Sequence, residues 1–122
     1  MTSELVLGGD YYVGDLVVGQ EQRVGTIKIN GITYNRYVKV VDCGALPNVD
    51  AKNVVHGITG VVGFLNIKGT AVSGTTTVTI PRVSVTNVSY TIDVYVTDTH
   101  IRLTTGFDYS SFTALVTLEY YK

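Results

Sequence analysis

The 122-residue chain has no tryptophan, one methionine, one cysteine and two prolines. With a single thiol, Cys43, no internal disulfide can form, so the fold must stand on its core alone. Charge is sparse: Asp, Glu, Lys and Arg make up 16% of the residues, the formal net charge is −1 and the pI about 6.0. There is no block of Lys or Arg, which argues against nucleic acid or an anionic membrane as partner. Apolar runs are only a few residues long, far short of the roughly 20 that a membrane helix needs. The opening MTSELVLGGD has neither a basic n-region nor an apolar h-region, which predicts no secretory signal and folding in a reducing cytosol.

What is present points to β-structure. The hydrophobic fraction is 45%, and Val, Thr and Ile together exceed a third of the chain. These are residues that suit a pleated, half-buried surface. Asn30-Gly31 favours a two-residue hairpin turn, because both positions tolerate φ > 0. Such a turn pairs Ile29 with Ile32 and Ile27 with Tyr34, leaving Lys28 opposite Thr33 on the other face. The returning strand is expected from Ile32 to Asp42, with Arg36 interrupting the Tyr34/Val38/Val40 parity and suggesting a bulge or a half-exposed edge. Gly44 and Leu46-Pro47-Asn48 then end pairing. Later segments alternate at period 2: Leu65/Ile67, Val78/Ile80, Tyr90/Ile92/Val94/Val96, Ile101/Leu103 and Phe112/Ala114/Val116/Leu118/Tyr120. No segment keeps a helical period. The expectation is an all-β antiparallel sandwich of about eight short strands with at most one short helix, occupying residues 24–122. Residues 1–23, with Gly8-Gly9 and a loosely patterned Tyr11–Val18 run, read as an N-terminal arm that orders on docking to a partner.

Chemistry is harder to find. His56, beside a glycine in an apolar context, reads as a structural histidine bonded to backbone, and Cys43 at a strand end reads as an inert packing thiol. Two histidines about forty residues apart, with no carboxylate motif beside them, do not make a metal site. Asp42 and Asp50 flank the Pro47 turn as backbone caps, and Gly57, Gly60 and Gly63 lack the lysine and the strand-to-helix context of a phosphate loop. The reading is of a non-enzyme without cofactor. Nine tyrosines against three phenylalanines favour recognition, since tyrosine combines apolar area with a hydrogen-bonding end. Tyr95, His100 and Arg102 fall on the polar parity of successive strands and form the candidate contact patch, with Tyr109 at its rim. A host cell-wall saccharide is the ligand such a patch would suit.

Three blocks carry a resemblance. They are Tyr34-Asn35-Arg36-Tyr37-Val38 followed by Gly44-Ala45-Leu46-Pro47-Asn48, then Lys52-Asn53-Val54-Val55-His56-Gly57-Ile58, and finally Asp98 to Gly106 leading into Phe112 to Tyr120. In this order and spacing they resemble a module of tail-fibre and baseplate proteins in tailed phages of Gram-positive hosts. The likeness covers about residues 26–122. It implies a sandwich similar to the shoulder domain of lactococcal siphophage receptor-binding proteins and a place in the virion near the tail tip, after synthesis in the host cytoplasm. Implied partners are other tail or baseplate proteins and further copies of the chain, with a trimer as the family's form. Two features depart from the pattern: many relatives carry an aromatic residue where Cys43 stands, and this chain shows no fibre-like repeat or separate host-binding head.

Overall fold

A computed structural model describes residues 6–7, 10–11 and 15–122 of the chain. Its elements begin with a short pair, β1 (Val6–Leu7) and β2 (Asp10–Tyr11), which form a two-stranded sheet with each other. Of the arm expected at 1–23, residues 1–5, 8–9 and 12–14 lie outside the described residues, and Gln22 and Arg23 already belong to the first long strand. Eight further strands form two antiparallel sheets, and there is no helix among the described residues. They are β3 (Gln22–Ile29), β4 (Ile32–Ala45), β5 (Ala51–Val55), β6 (Gly63–Ser73), β7 (Thr76–Ile80), β8 (Ile92–Val96), β9 (His100–Thr105) and β10 (Thr113–Tyr121). The larger sheet has the order β3-β4-β10-β6-β7 and the smaller β5-β9-β8. The all-β, sandwich-like architecture expected from the alternating segments is therefore present.

The hairpin at Asn30-Gly31 forms as the turn chemistry requires. Both residues take positive φ, 50° and 80°, and the register pairs Ile29 with Ile32, Lys28 with Thr33 and Ile27 with Tyr34. A register shift between Arg23 and Gly25 falls opposite Arg36, so the irregularity lies on β3 and not on β4. Strand β4 buries apolar side chains on both of its faces. Tyr37, Val41 and Cys43 join the main core, whereas Val38 pairs with Glu119 on the opposite face, where Arg36 also meets the Glu119 carboxylate. An apolar alternation on both parities leaves the inward side undetermined until the partner strand is known.

β10 supplies the centre of the core. Ala114, Val116, Leu118 and Tyr120 are all fully buried, and β10 is bonded to β4 on one side and β6 on the other. Each of the larger side chains contributes about 1.5–3 kcal/mol by leaving water. From the facing sheet come Ile92, Ile101 and Leu103, also fully buried. Gly69 on β6 sits so close to the β10 backbone that a Cβ there would lie 2.5 Å from the Leu115 carbonyl oxygen. Leu65, expected inward with Ile67, is instead the extra residue of a register shift between Glu119 and Tyr120, and it faces solvent. Val83 and Val85 form no strand; they belong to an exposed loop between β7 and β8.

The corner after β4 is held by polar bonds. The Leu46 amide donates to the Phe112 carbonyl, and the Thr105 hydroxyl donates to the Pro47 carbonyl at 2.9 Å. The Lys52 ammonium donates to the carbonyls of Cys43 and Ala45 at 2.6 and 2.8 Å. Between these contacts Val49 is forced to φ 47°, although its side chain is 63% exposed. A β-branched residue in the left-handed region is strained by roughly 1–2 kcal/mol. Val49→Gly should therefore raise the thermal midpoint, with a gain of about 1 kcal/mol in urea unfolding; an unchanged or lowered midpoint would show that the corner imposes no strain there.

Candidate interaction surfaces

Because β8 and β9 pair in antiparallel register, Tyr95 lies directly opposite Arg102, and Arg102 lies opposite Asn53 on β5. The three side chains make one row across the outer face of the smaller sheet. Tyr95 is 51% exposed, and the Arg102 guanidinium donates to the Asn53 side-chain oxygen at 3.1 Å. His100 shares this face two residues along β9, opposite the exposed Val55. Its Nδ1 lies 2.9 Å from the Thr99 hydroxyl, which fixes the ring at the strand end. The register thus brings Tyr95, His100 and Arg102 together, and it adds Asn53, whose place in the row depended on a pairing that no local pattern encodes.

Tyr109 does not rim this patch. It is only 4% exposed and lies at the other end of β9, where its amide donates to the Pro47 carbonyl and its hydroxyl to the Tyr90 carbonyl. Burial with a satisfied hydroxyl is the usual outcome for a tyrosine that bridges core and loop. There it joins a ladder of edge-to-face rings: Tyr90–Phe107 at 4.5 Å, Phe107–Tyr109 at 5.8 Å and Tyr109–Phe112 at 5.2 Å between centroids. The ladder walls a cleft of about 190 Å³ that also touches Thr76, Val78 and Arg82. This second surface escaped the strand pattern because its rings sit in loops. The spacing of Phe107, Tyr109 and Phe112 in a polar segment was the available signal. The Asp108 carboxylate accepts from the Ser110 hydroxyl and amide, which holds it below the usual carboxylate range and ties the loop.

Of the residues weighed for chemistry, His56 and Cys43 are both enclosed by the fold. His56 is buried; its Nε2 lies 2.8 Å from the Thr97 carbonyl and its Nδ1 accepts from the Ile58 amide at 3.0 Å. The carbonyl can only accept, so Nε2 carries the proton, and both ring nitrogens are satisfied. The ring also packs edge-on against Phe64. Cys43 is buried, with its thiol directed at the Val41 carbonyl. Burial pushes that thiol up to about 11, while the Lys52 ammonium draws it partly back and Asp42 adds a smaller rise. A thiol so placed stays protonated and unreactive near neutrality. Among the described residues, no group of three or more His, Cys, Asp or Glu is placed to hold a metal ion. Comparisons with protein-family models, curated proteins and solved structures find no match to this chain.

Burial also pushes up the Tyr120 phenol, which donates to the Glu21 carboxylate, and that bond and charge raise it further. For Cys43 and Tyr120 alike the folded state holds its proton more tightly than the unfolded chain does. The contribution of Cys43 to stability is therefore complete below about pH 9 and is lost as pH rises towards 11, whereas that of Tyr120 holds to about pH 10 and declines above it. Urea midpoints should be flat from neutrality to about pH 9 and then fall, with Cys43→Ala flattening the first part of the decline. An equally steep decline in that variant would remove the buried thiol as its cause.

Proposed function

We propose that this chain is a non-enzymatic structural or accessory protein of a phage tail tip, supporting host adsorption or baseplate assembly alongside other tail proteins. The observation that carries the reading is the way the three resembling blocks are joined in space. The Gly44–Asn48 corner bonds to Phe112 and Thr105 of the third block. Lys52 of the second block clamps the carbonyl of Ala45, and β5 pairs with β9 along its whole length. Blocks that are distant in the chain thus form one continuous corner of the sandwich. A shared pattern kept for packing would have this form. The buried, fully bonded His56 and the protonated Cys43 leave no nucleophile–base pair to favour an enzyme.

Mass spectrometry of purified particles of the encoding phage tests the reading. Peptides of this chain should co-purify with tail proteins. Presence in infected cells with repeated absence from particles would favour a non-virion assembly factor instead.

A second reading, recognition of a host cell-wall saccharide, is favoured by the Asn53–Arg102–Tyr95 row. It places an exposed aromatic ring beside a charged donor and an amide, a combination suited to stacking on a sugar while bonding its hydroxyls. Titration with cell-wall teichoic acid should then show binding that falls at least about tenfold in Tyr95→Ala, the loss of roughly 1.4 kcal/mol of contact energy. Absence of binding, or equal binding by the variant, would eliminate it.

A further inference from the structure

A sheet edge exposes a row of unpaired N–H and C=O groups, and proteins blunt such edges with charge, bulges or covering segments. Three of the four outer strands here are blunted. β3 carries Arg23, Lys28 and a register shift; β5 carries Lys52; β8 carries Asp93 and is met by the Arg82–Ile92 bridge. β7 has none of these. Its sequence, Thr76-Thr77-Val78-Thr79-Ile80, has no charge, no proline and an unbroken register with β6.

The direction of its free groups follows from the turn. Gly74-Thr75 is a two-residue connection with Gly74 at φ 58°, so Ser73 and Thr76 form the closely hydrogen-bonded pair that flanks it. Alternation then points the N–H and C=O of Thr77 and Thr79 away from β6. Among the described residues neither makes a backbone bond outside the ladder, and both side chains are exposed.

We infer that β7 is a docking edge for the β7 strand of a second copy of this chain, paired antiparallel about a two-fold axis at Val78. The occupant is argued from self-complementarity. The two-fold register sets Thr77 opposite Thr79 of the other copy and Thr79 opposite its Thr77, giving two narrow pairs in which all the outward groups bond. Threonine opposite threonine is a favourable cross-strand pair, and an uncharged strand meets its own copy without repulsion. Val78 meets Val78 across the axis. Pro81, which has no N–H to donate, ends the ladder. Five residues of strand bury less than a stable dimer needs, roughly 1,000 Å² or more. Apolar area is available beside the edge. The loop leaving β7 exposes Val83, Val85 and Val88 (Val85 at 99%), and Val72 is exposed on β6. The contact is isologous and closes at two copies. It does not depend on the phage reading.

Sedimentation velocity on the full chain over a wide dilution series tests this, together with hydrogen exchange of the Thr77 and Thr79 amides. The wild type should form a reversible dimer in which those two amides exchange at least about tenfold more slowly than in dilute, monomeric samples. Thr77→Lys/Thr79→Lys should be monomeric with an unchanged circular dichroism spectrum, whereas Thr26→Lys on β3 should still dimerise. A wild-type chain that is monomeric throughout would overturn the inference. So would an oligomer, trimeric or otherwise, in which the two amides stay unprotected at high concentration. If the double variant fails to fold, the amide exchange of the wild type decides the outcome alone.

Discussion

The burial of one face of β10 is the constraint on which the rest of the structure depends. A strand bonded on both sides can gain only through its side chains, and Ala114, Val116, Leu118 and Tyr120 place their entire surface in the core. That commitment fixes the inward parity of β4 and β6, because directly paired residues share a face. Val41 is inward because it opposes Val116, and Gly69, opposing Val116 from the other side, must be small because a Cβ there would meet the Leu115 carbonyl oxygen. Glu119, between two inward residues, is driven to the outer face, where it meets Arg36 at 3.8 Å. At the far end of the strand, Tyr120 stacks on Tyr37 and reaches the Glu21 carboxylate, which also pairs with Lys122.

Polar contacts decide how the second sheet is set against the first. The chain leaves β4 at a corner whose carbonyls would be orphaned if buried without partners, a loss of about 1–3 kcal/mol each. Thr105 on β9 and Lys52 on β5 donate to these carbonyls, and the Phe112 carbonyl just before β10 accepts from the Leu46 amide. His56 does the same between the end of β5 and the β8–β9 turn through Thr97. The Lys39 ammonium caps the His56 carbonyl at 2.6 Å from the larger sheet. Such bonds are directional where hydrophobic contact is not, so they fix the relative position of the sheets. The outer face of β5-β9-β8 and the open edge at β7 are consequences of that placement.

Much of this was legible in the chain. Asn30-Gly31 specified its own turn and register because φ > 0 at two successive positions is rarely tolerated by other residues. The alternation from Ile92 and from Phe112 located two strands and their inward faces, since one side of each is fully apolar and the other is not. His56 and Cys43 were legible as structural from their apolar neighbours. Less was legible where the local pattern is ambiguous. β4 is apolar on both parities and buries Val38 and Val41 on opposite faces, so which of them meets the second sheet needed β10. Leu65 looked inward because a bulge leaves no mark in a period-2 sequence. Tyr109 looked exposed because it follows Asp108 in a polar loop, and only the aromatic ladder explains its burial.

By itself, then, the sequence determined the class of structure, the main turns and the faces of the strands that are apolar on one side only. These properties depend on residues a few positions apart, where turn chemistry and period-2 alternation act. Only the tertiary structure decided which strands are neighbours, and with that the row of Asn53, Arg102 and Tyr95, the removal of Tyr109 from it and the unprotected edge at β7. Those features join residues up to about fifty positions apart. Their pairing is selected by burial of the whole core and by satisfaction of backbone groups at its corners, quantities that no short stretch of the chain contains.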